Sequence, residues 1–427
     1  MLDINRIRLE KENIQESLKK RGIKVYFDEI LGKDDQRKSI QTKSDNLRAT
    51  RNKVSSEIPI LKKEKKDVSE LIVQMKDLGD EIEKLQDSKR KLEEEIFLFL
   101  SALPNIPDED VKDGDKENNQ VISTFLTPRE YDFEPKSHVE LAKDLDIIDY
   151  QRGVKIAGEG FWIYKGLGAR LEWALINFFI DSHTKDGWEF FLVPHMLTYD
   201  CGFVSGQFPK FESEQYIIEQ EADSDPKNRK FAIPTAETAL VSIYKDEILD
   251  HDDLPKKLFS YTPCYRKEGG SSRIEERGTI RGHQFNKVEM VQYTSCETSD
   301  LAFEEMLSKS EKIMQNLNLH YQVSKLAASD CSFATCRTYD VEVYLPSVNI
   351  YKEVSSVSNC RDFQARRGNM KYRDKKTKDT KFLHTLNASG LATSRLFPAI
   401  LEQYQQKDGS VTVPEVLRSY MGIDVIK

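Results

Sequence analysis

The chain has 427 residues and a formal net charge of −8 at pH 7, and this length is enough for two or three domains with sizeable cores. The acidic balance argues against binding nucleic acid through bulk charge, although it permits a local basic surface. The six cysteines show no CxxC spacing, so they favour reduced cytosolic thiols over a disulfide framework or a zinc cage.

The N-terminal stretch is charged rather than apolar. Its sequence, MLDINRIRLEKENI, lacks the apolar core of a signal peptide. No apolar run elsewhere approaches the roughly 20 residues that span a bilayer. We therefore expect a soluble, cytoplasmic protein that has no membrane-spanning segment.

Apolar residues recur at heptad spacing from about Asp34 to Leu103, a stretch almost free of Gly and Pro. Two such helices separated by KKEKKD predict an antiparallel hairpin with arms about 45 Å long, at about 1.5 Å per residue. Pro59 is expected to fray or kink the first arm near the tip. The polar faces are rich in lysine and arginine, which permits an RNA contact without demonstrating one. The predicted seam consists of Ile40, Leu47, Val54, Leu61, Leu71, Met75, Leu78, Ile82, Leu85, Leu92, Ile96 and Phe99.

A Pro-, Gly-, Asp- and Asn-rich stretch follows the second heptad helix. We interpret this stretch, residues 104–120, as a linker between an N-terminal domain (1–103) and a second domain (121–427). Helical periodicity at 169–185 precedes strand character at 188–193, and strand-like blocks alternate with helices thereafter. The second domain is therefore predicted to be α+β, with helices on a mainly antiparallel sheet.

The stretch from Phe259 to Tyr293 predicts a strand, a long charged loop and a second strand. Alternation on the second strand gives one face His283, Phe285, Lys287, Glu289 and Val291. Phe285 and Glu289 would lie roughly 13 Å apart, at about 3.3 Å per residue. This separation is about the length of an aminoacyl-adenylate with its base stacked at one end and its ammonium paired at the other. Arg266 and Glu268 offer a phosphate fork and a hydrogen-bond acceptor. The alternative is a surface hairpin laced with salt bridges.

Three further pieces carry polar chemistry. Residues 235–237 (TAE) follow a strand that ends at a proline and begin a helix. Residues 353–356 (EVSS) place a carboxylate and hydroxyls at a strand end, which are hard oxygen ligands of the kind that Mg²⁺ takes. A regular pleat would pair Glu353 with Ser355, so a bulge or a strand end is needed if Glu353 and Ser356 are to act together. Residues 387–395 (NASGLATSR) are predicted to form a turn that opens a helix near Arg395.

This ordered set resembles the three signature motifs of class II aminoacyl-tRNA synthetases and, in detail, the seryl-tRNA synthetase family. The resemblance covers nearly the whole chain and implies a cytosolic homodimer that uses ATP, Mg²⁺, L-serine and tRNA(Ser). It leaves open whether tRNA(Sec) is also a substrate. Two departures concern the NGSGLAVGR motif of the family, where Ala388 and Ser394 replace glycines, and the motif 2 loop, where Glu275 and Glu276, or Glu276 alone, stand in place of an Asp-Thr pair. If either glycine position needs a positive φ, the turn would be strained here.

The resemblance also implies roles for individual residues. Arg266 would bind the ATP α-phosphate, Phe285 and Arg395 would cover the two faces of adenine, and Glu268 would hold the adenine amino group. Glu353 and Ser356 take the family's Mg²⁺ positions. The implied catalytic residues are Arg266, Glu353 and Arg395. The implied ATP-binding residues are Arg266, Lys267, Glu268, Phe285, Glu353, Val354, Ser355, Ser356 and Arg395. The implied serine-binding residues are Thr235, Ala236, Glu237, Glu289, Asn387 and Ser389, and which acidic residue reads the serine hydroxyl stays open.

The family's dimer element is the helix before Pro194. Its apolar stripe (Leu171, Leu175, Phe178 and Phe179) is expected to exceed what one helix must bury on its own sheet, and the arm is expected to hold tRNA for the partner's site.

Alternative functions are a serine-activating ligase that loads a carrier protein and an inactive coiled-coil scaffold. The long hairpin argues against the carrier ligase, and the intact polar set argues against the scaffold. A threonine or proline synthetase is a weaker alternative, since the zinc ligands of the threonine enzymes are missing.

Overall fold

The structure is a computed structural model that describes residues 1–218, 229–268 and 277–427. These residues form two compact units. The first comprises Met1–Leu18 and Ile23–Pro104, and the second comprises Lys19–Gly22 and Asn105–Lys427. None of the helices in the described ranges is both long and apolar enough to cross a membrane.

The first unit contains the predicted helical hairpin. Its helices are α1 (Ile4–Leu9), α2 (Lys11–Lys19), α3 (Asp28–Lys63) and α4 (Ser69–Ser101). The long helices α3 and α4 pack along each other, and the heptad positions Val54, Ile82 and Ile96 are buried between them. Ion pairs cross the seam, with Lys43 Nζ 2.8 Å from Glu81 Oε1. Helix α3 runs through Pro59 to Lys63, so the expected fray near the tip does not occur.

Residues 105–119, most of the predicted linker, pack on the second unit. The Asn105 amide donates to the carbonyl oxygens of Ala334 and Cys360, at 2.9 Å each. The Asp108 carboxylate forms ion pairs with Arg337 and Arg361. The first strand of the second unit follows directly.

The second unit is built on an eight-stranded sheet, as the sequence predicts for an α+β domain. Its strand order is β1-β11-β12-β13-β16-β10-β9-β4. Neighbouring strands are antiparallel, except for the parallel pair β4 and β9. The strands of this sheet are β1 (Gln120–Phe125), β4 (Glu189–Phe191), β9 (Lys256–Tyr265), β10 (Gln284–Thr294), β11 (Tyr321–Lys325), β12 (Arg337–Leu345), β13 (Ile350–Arg361) and β16 (His384–Ala392).

Shorter strands and helices complete the second unit. The strands are β2 (Ile148–Asp149), β3 (Ile163–Tyr164), β5 (Met196–Thr198), β6 (Ile217–Ile218), β7 (Lys230–Ala232), β8 (Ile248–Asp250), β14 (Lys371–Arg373), β15 (Thr380–Phe382), β17 (Val411–Thr412) and β18 (Val425–Ile426). The helices are α5 (His138–Asp144), α6 (Tyr150–Ala157), α7 (Leu167–Lys185), α8 (Tyr199–Ser205), α9 (Ala236–Leu240), α10 (Ser299–Asn316), α11 (Phe363–Gly368), α12 (Thr393–Tyr404) and α13 (Arg418–Met421).

Helices α7, α10 and α12 cover one face of the sheet. The alternation on β10 explains this arrangement, because Val288 and Met290 enter the core with these helices while Lys287 and Glu289 line a cavity on the other face.

The apolar stripe of α7 lies in the core of this chain. Leu171, Leu175 and Phe179 are fully buried, and Phe178 is 8% exposed. The expectation that the stripe exceeds what its own sheet can cover is therefore wrong, because α7 packs against β10, α12 and α13 and each of these elements covers part of the stripe.

The segment 387–395 is not a turn. Residues up to Ala392 form the inner strand β16, which pairs with both β10 and β13, and α12 begins only at Thr393. Ala388 and Ser394 do not have positive φ angles; Leu391 does, at 98°. The residues that replace the family's glycines therefore introduce no strain from a left-handed backbone conformation.

Candidate active site

The sheet face opposite the helices forms the floor of a cavity of ≈ 650 Å³. Strands β10, β13 and β16 supply side chains to it, together with the residues at the start of α9 and the end of β9. A smaller cavity of ≈ 70 Å³, whose walls include Phe285 and Arg395, adjoins it. The residues that border both cavities are Arg266, Glu268, Arg281, Lys287, Glu353 and Ser389.

A buried cluster of polar groups occupies one end of the large cavity. Lys287 Nζ donates to Thr235 Oγ1 at 2.7 Å and forms an ion pair with Glu289 Oε2. Thr235 Oγ1 in turn donates to Glu289 Oε2 at 3.3 Å. Alternation on β10 places Lys287 and Glu289 on the same face, and Thr235 lies opposite as the N-cap of α9. This end can hold an ammonium or a hydroxyl group.

Glu237 lies beside this cluster. Its Oε1 accepts hydrogen bonds from Gln364 Nε2 at 2.8 Å and from Asn387 Nδ2 at 3.0 Å. Burial, and next the negative charge of Glu289, raise the pKa of Glu237 to about 7. This end of the cavity therefore contains the carboxyl groups of Glu237 and Glu289, and that of Glu237 changes its charge near neutral pH.

The smaller cavity carries an aromatic ring, Phe285, among charged groups. The Arg266 guanidinium lies over the Phe285 ring, 5.2 Å from its centroid, and Arg266 Nε donates to the Pro234 carbonyl at 3.1 Å. Glu268 Oε2 accepts from Arg281 Nε at 2.7 Å. An aromatic face with adjacent cations is suited to a nucleobase and its phosphates.

The predicted bulge in β13 occurs at Val354. The pairing with β12 places Ser355 opposite Val341 and Glu353 opposite Glu342, so Val354 is the extra residue. Glu353 and Ser356 consequently both line the cavity.

Glu353 bridges the two ends of the site through Arg395. Arg395 Nη1 lies 3.2 Å from Glu353 Oε2 and donates to the Glu353 carbonyl at 2.8 Å. Desolvation raises the pKa of the Glu353 carboxyl, but the charges of Arg395 and Arg266 outweigh it and leave the pKa below its usual value. Glu353 therefore carries a negative charge at neutral pH.

Four predicted site residues do not contribute side chains to the cavity. Ala236 and Val354 are buried in the core, and Ser355 points to the helix side, where its hydroxyl donates to Ser310 Oγ at 3.2 Å. Lys267 is exposed, and its backbone N–H donates to the Glu214 carbonyl. The bulge explains Val354 and Ser355, because both successive residues face away from the cavity. Glu275 and Glu276 of the motif 2 loop lie outside the described residues.

The polar residues of the cavity wall or its support that sequence reasoning missed include Lys287, Asp340 and Gln364. Lys287 is on the predicted face of β10, so the alternation was sufficient to find it. Asp340 is directly across from Ser356 in the β12–β13 pairing, and Gln364 reaches Glu237 from α11. Both depend on pairings between distant segments that periodicity does not predict.

Glu172 of α7 lies behind β10. Its Oε1 accepts from Asn286 Nδ2 at 2.8 Å and from the Thr393 hydroxyl at 2.5 Å. Asn286 follows Phe285 on β10, and Thr393 is two residues before Arg395. One buried carboxyl therefore ties α7 to the two segments that carry the walls of the small cavity.

Comparison with protein families identifies the class of this fold and site. Residues 216–404 match the class II tRNA synthetase core domain of the G, H, P, S and T enzymes. Residues 1–107 match the seryl-tRNA synthetase N-terminal domain.

Full-length relatives narrow the class. A protein named serine–tRNA ligase 2 from Clostridium acetobutylicum is 52% identical over 99% of this chain and 100% of its own length. Serine–tRNA ligase from Thermodesulfovibrio yellowstonii is 46% identical over the full length of both chains. The crystal structure of seryl-tRNA synthetase from Pyrococcus horikoshii complexed with ATP superposes with a TM-score of 0.91 at 32% identity, covering 100% of this chain and 99% of that one. The chain belongs to the seryl-tRNA synthetase family.

Proposed function

We propose that this protein activates L-serine with ATP to form seryl-adenylate and then transfers the seryl group to the 3′ end of tRNA(Ser). The observation that carries the proposal is the cavity on one sheet face. It has a buried carboxylate and hydroxyl (Glu289 and Thr235) at one end, and the smaller cavity that adjoins it has an aromatic ring with cations (Phe285, Arg266 and Arg395). This arrangement matches the two ends of an aminoacyl-adenylate.

In the first reaction, a serine carboxylate oxygen attacks the α-phosphorus of ATP. A bond forms between that oxygen and phosphorus, and the bond to the β-phosphate oxygen breaks, so pyrophosphate leaves. The carboxylate is already ionised at neutral pH, and no enzyme base is required. Catalysis depends on alignment and on neutralising charge at phosphorus. Arg266, which has access to both cavities, stabilises the α-phosphate.

Adenine binds at the small cavity. Phe285 stacks on one face of the base and Arg395 covers the other, while Glu268 accepts a hydrogen bond from the adenine amino group. Both Phe285 and Arg395 line this cavity, which supports the assignment. The guanidinium of Arg266 covers the Phe285 ring in the free protein, so the base takes the place of that contact.

Serine selection rests on Thr235, Glu237, Glu289 and Ser389, all of which line the large cavity, with Asn387 holding Glu237. A buried pocket that hydrogen-bonds a hydroxyl rejects alanine strongly, because alanine leaves its polar groups unpaired. The acidic residues also attract the serine ammonium.

The donor set of β12 and β13 fits Mg²⁺ bound together with ATP. Glu353 and Ser356 present oxygen atoms to the cavity. Opposite Ser356, the buried Asp340 has an Oδ1 atom with no hydrogen-bond partner among the described residues. Hard oxygen ligands of this kind suit Mg²⁺. Glu353 and Ser356 would hold the ion, which when bound offsets the negative charge of the phosphates.

In the second reaction, a ribose hydroxyl of the terminal tRNA adenosine attacks the adenylate carbonyl carbon. The bond to the phosphate breaks, AMP leaves, and its phosphate takes the hydroxyl proton. A catalytic histidine is therefore not needed. The His283 ring has a structural role, since its Nδ1 lies 3.0 Å from the Arg266 carbonyl oxygen.

The N-terminal domain (1–103), separated by residues 104–120 from the catalytic domain (121–427), binds tRNA through its helical arm. Lys62, Lys63, Lys65 and Lys66 at the arm's tip are exposed or carry exposed charges and suit contact with a phosphate backbone. An aminoacylation assay with tRNA(Sec) in place of tRNA(Ser) decides whether tRNA(Sec) is charged as well. The protein acts in the cytoplasm.

The test is pyrophosphate exchange with each amino acid, with and without tRNA, compared between wild type and Glu289→Gln. We expect exchange with serine alone, and transfer to tRNA(Ser). Glu289→Gln should lower serine-dependent exchange at least tenfold and leave ATP binding nearly unchanged, since Glu289 lies at the serine end. A loss of threefold or less, under one kcal/mol, contradicts the assignment. Exchange without tRNA charging would favour the carrier-protein ligase, and no exchange at all would favour the scaffold.

The protein acts as a homodimer, with the arm of one subunit serving the site of the other. Exposed apolar side chains at α7 and the strands that follow it support a partner surface: Trp173 is 53% exposed, Leu192 79% and Met196 65%. The test mixes a variant lacking residues 34–101 with Arg266→Ala, each inactive in charging. Mixed dimers should regain charging, because one pairing has both parts intact. A dimer that exchanges subunits and recovers no activity excludes service across subunits.

A further inference from the structure

Lys287 is a buried cation to which none of the roles above gives a function. Its side chain is 7% exposed, and it lies on β10 between Phe285 and Glu289 on one pleated face. Its Nζ donates to Thr235 Oγ1 at 2.7 Å and pairs with Glu289 Oε2. It borders both the large and the small cavity. Lys287 therefore touches the proposed serine-binding residues and also reaches the proposed nucleotide end.

These contacts compete with serine, because its ammonium group would use the same acceptors. Thr235 and Glu289 are among the acceptors available to the serine ammonium, and Lys287 already contacts both. Glu289 is 2% exposed, so two ammonium groups on this one carboxylate would leave an excess positive charge out of contact with water, which is costly. If the serine ammonium binds Glu289, Lys287 becomes available to pair with another anion.

Serine brings such an anion, its own carboxylate. Residues on one strand face are about 6.6 Å apart at every second position, so the order on β10 is adenine (Phe285), then Lys287, then the serine ammonium (Glu289). The junction between serine and the α-phosphate falls at the middle position. A lysine side chain has a flexible four-carbon stem and three donors, which lets its ammonium turn from Glu289 to this junction.

We propose that Lys287 is a catalytic residue for adenylate formation. In the free protein its ammonium holds Glu289 and Thr235; when serine binds, the serine ammonium takes over these acceptors and Lys287 Nζ turns to the serine carboxylate. There it offsets the repulsion between this carboxylate and the α-phosphate. Lys287 stays protonated while the carboxylate oxygen bonds to phosphorus and pyrophosphate leaves with the electron pair. The proposal rests on serine activation as the function.

A simpler role would be that of a fixed counter-ion for Glu289. The two roles differ in what the ligand must carry. A fixed counter-ion affects every ligand that uses Glu289 to the same extent, whereas a carboxylate-binding lysine affects only ligands that have a carboxylate. L-serinamide keeps the ammonium and hydroxyl of serine and lacks the carboxylate, so it separates the two.

The experiment measures binding of L-serine and L-serinamide by calorimetry to wild type, Lys287→Met and Lys287→Arg. We expect Lys287→Met to weaken serine binding by about tenfold or more, as for loss of a charged hydrogen bond, and serinamide binding by about threefold or less. Lys287→Arg keeps the charge and should retain most of the preference for serine. Lys256→Met, on the neighbouring strand β9 and remote from both cavities, is the matched control and should bind like wild type.

Equal weakening of both ligands in Lys287→Met overturns the proposal in favour of the fixed counter-ion. A wild-type protein that shows no serine-dependent exchange overturns the proposed function instead, so the two failures are distinguishable. If the Met variant does not fold, a crystal structure of wild type with serine decides: Lys287 Nζ within hydrogen-bond distance of the serine carboxylate supports the proposal, and Nζ still on Thr235 refutes it.

Discussion

Glu172 predicts a pH dependence of stability that a single substitution should remove. Burial raises the pKa of this carboxyl to about 7, although hydrogen bonds from Thr393 and Asn286 lower it. The folded protein therefore binds a proton at Glu172 more tightly than the unfolded chain does. Stability from this source is complete at acidic pH and is lost as pH rises from the ordinary value near 4.5 to about 7.

The magnitude follows from the difference in pKa. A rise of about 2.5, at about 1.36 kcal/mol for each pKa unit, gives about 3 kcal/mol. Glu172→Gln mimics the protonated side chain, since its amide oxygen can still accept from Asn286 and Thr393, and it does not ionise. We therefore expect the variant to gain about 3 kcal/mol over wild type between acidic and mildly alkaline pH. Most of this gain should appear between pH 5 and pH 8.

The assay measures the free energy of urea unfolding of the second unit in both proteins at pH 5, 6, 7 and 8. Glu159→Gln removes a carboxyl from an exposed position on the surface and is the matched control, which should follow the wild-type profile. The other groups with perturbed pKa values, including Glu237, act equally in all three proteins and cancel. Parallel profiles for wild type and Glu172→Gln would refute the reasoning, because they would mean that Glu172 ionises alike in the folded and unfolded states.

Three further predictions concern function. Replacing residues 34–101 by a short turn should leave serine-dependent exchange largely intact and abolish tRNA charging, because the helices of the arm pack on each other; charging that survives would contradict the assigned role of the arm. The KM for serine should fall as pH rises from 6 to 8, since Glu237 gains its charge near pH 7, and Glu237→Gln should flatten this profile; a wild-type KM that is constant over this range would contradict it. Arg395→Ala should raise the KM for ATP at least tenfold with less effect on serine binding, because Arg395 lies at the small cavity; unchanged ATP kinetics would exclude its role over adenine.

The sequence predicts features that a period or a local constraint determines. The arm follows from heptads, because each arm must cover the apolar seam of the other. The two faces of β10 follow from alternation, since one face is packed on helices and the other is polar. A break in the pleat between Glu353 and Ser356, as a bulge or a strand end, also follows, because a regular pleat cannot turn both residues to one side; the structure shows the bulge, at Val354.

Other features depend on contacts between distant segments and leave no local pattern. Strand β16 pairs with β10 and β13, which are distant in the sequence. Its residues are buried on the cavity face as well as on the helix face, so its sequence shows no alternation and its small residues resemble a turn. The apolar stripe of α7 looks too large for its own sheet to bury, because a sequence does not reveal how many elements cover a helix. Asp340 joins the site only through its pairing with Ser356.

Strand β10 connects the cavity to the helix layer on the other face of the sheet. Its cavity-facing residues, Phe285, Lys287 and Glu289, line up along the proposed length of the adenylate, while Asn286 between them is held by Glu172 of α7. The same carboxyl holds Thr393 at the start of the helix that carries Arg395. A shift of α7 would therefore move both walls of the adenine cavity together, although α7 itself contributes no side chain to that cavity. Trp173, the residue after Glu172, is exposed on the surface proposed for the partner subunit. If that surface forms the dimer, subunit pairing and the geometry of the proposed nucleotide site would depend on adjacent residues of one helix.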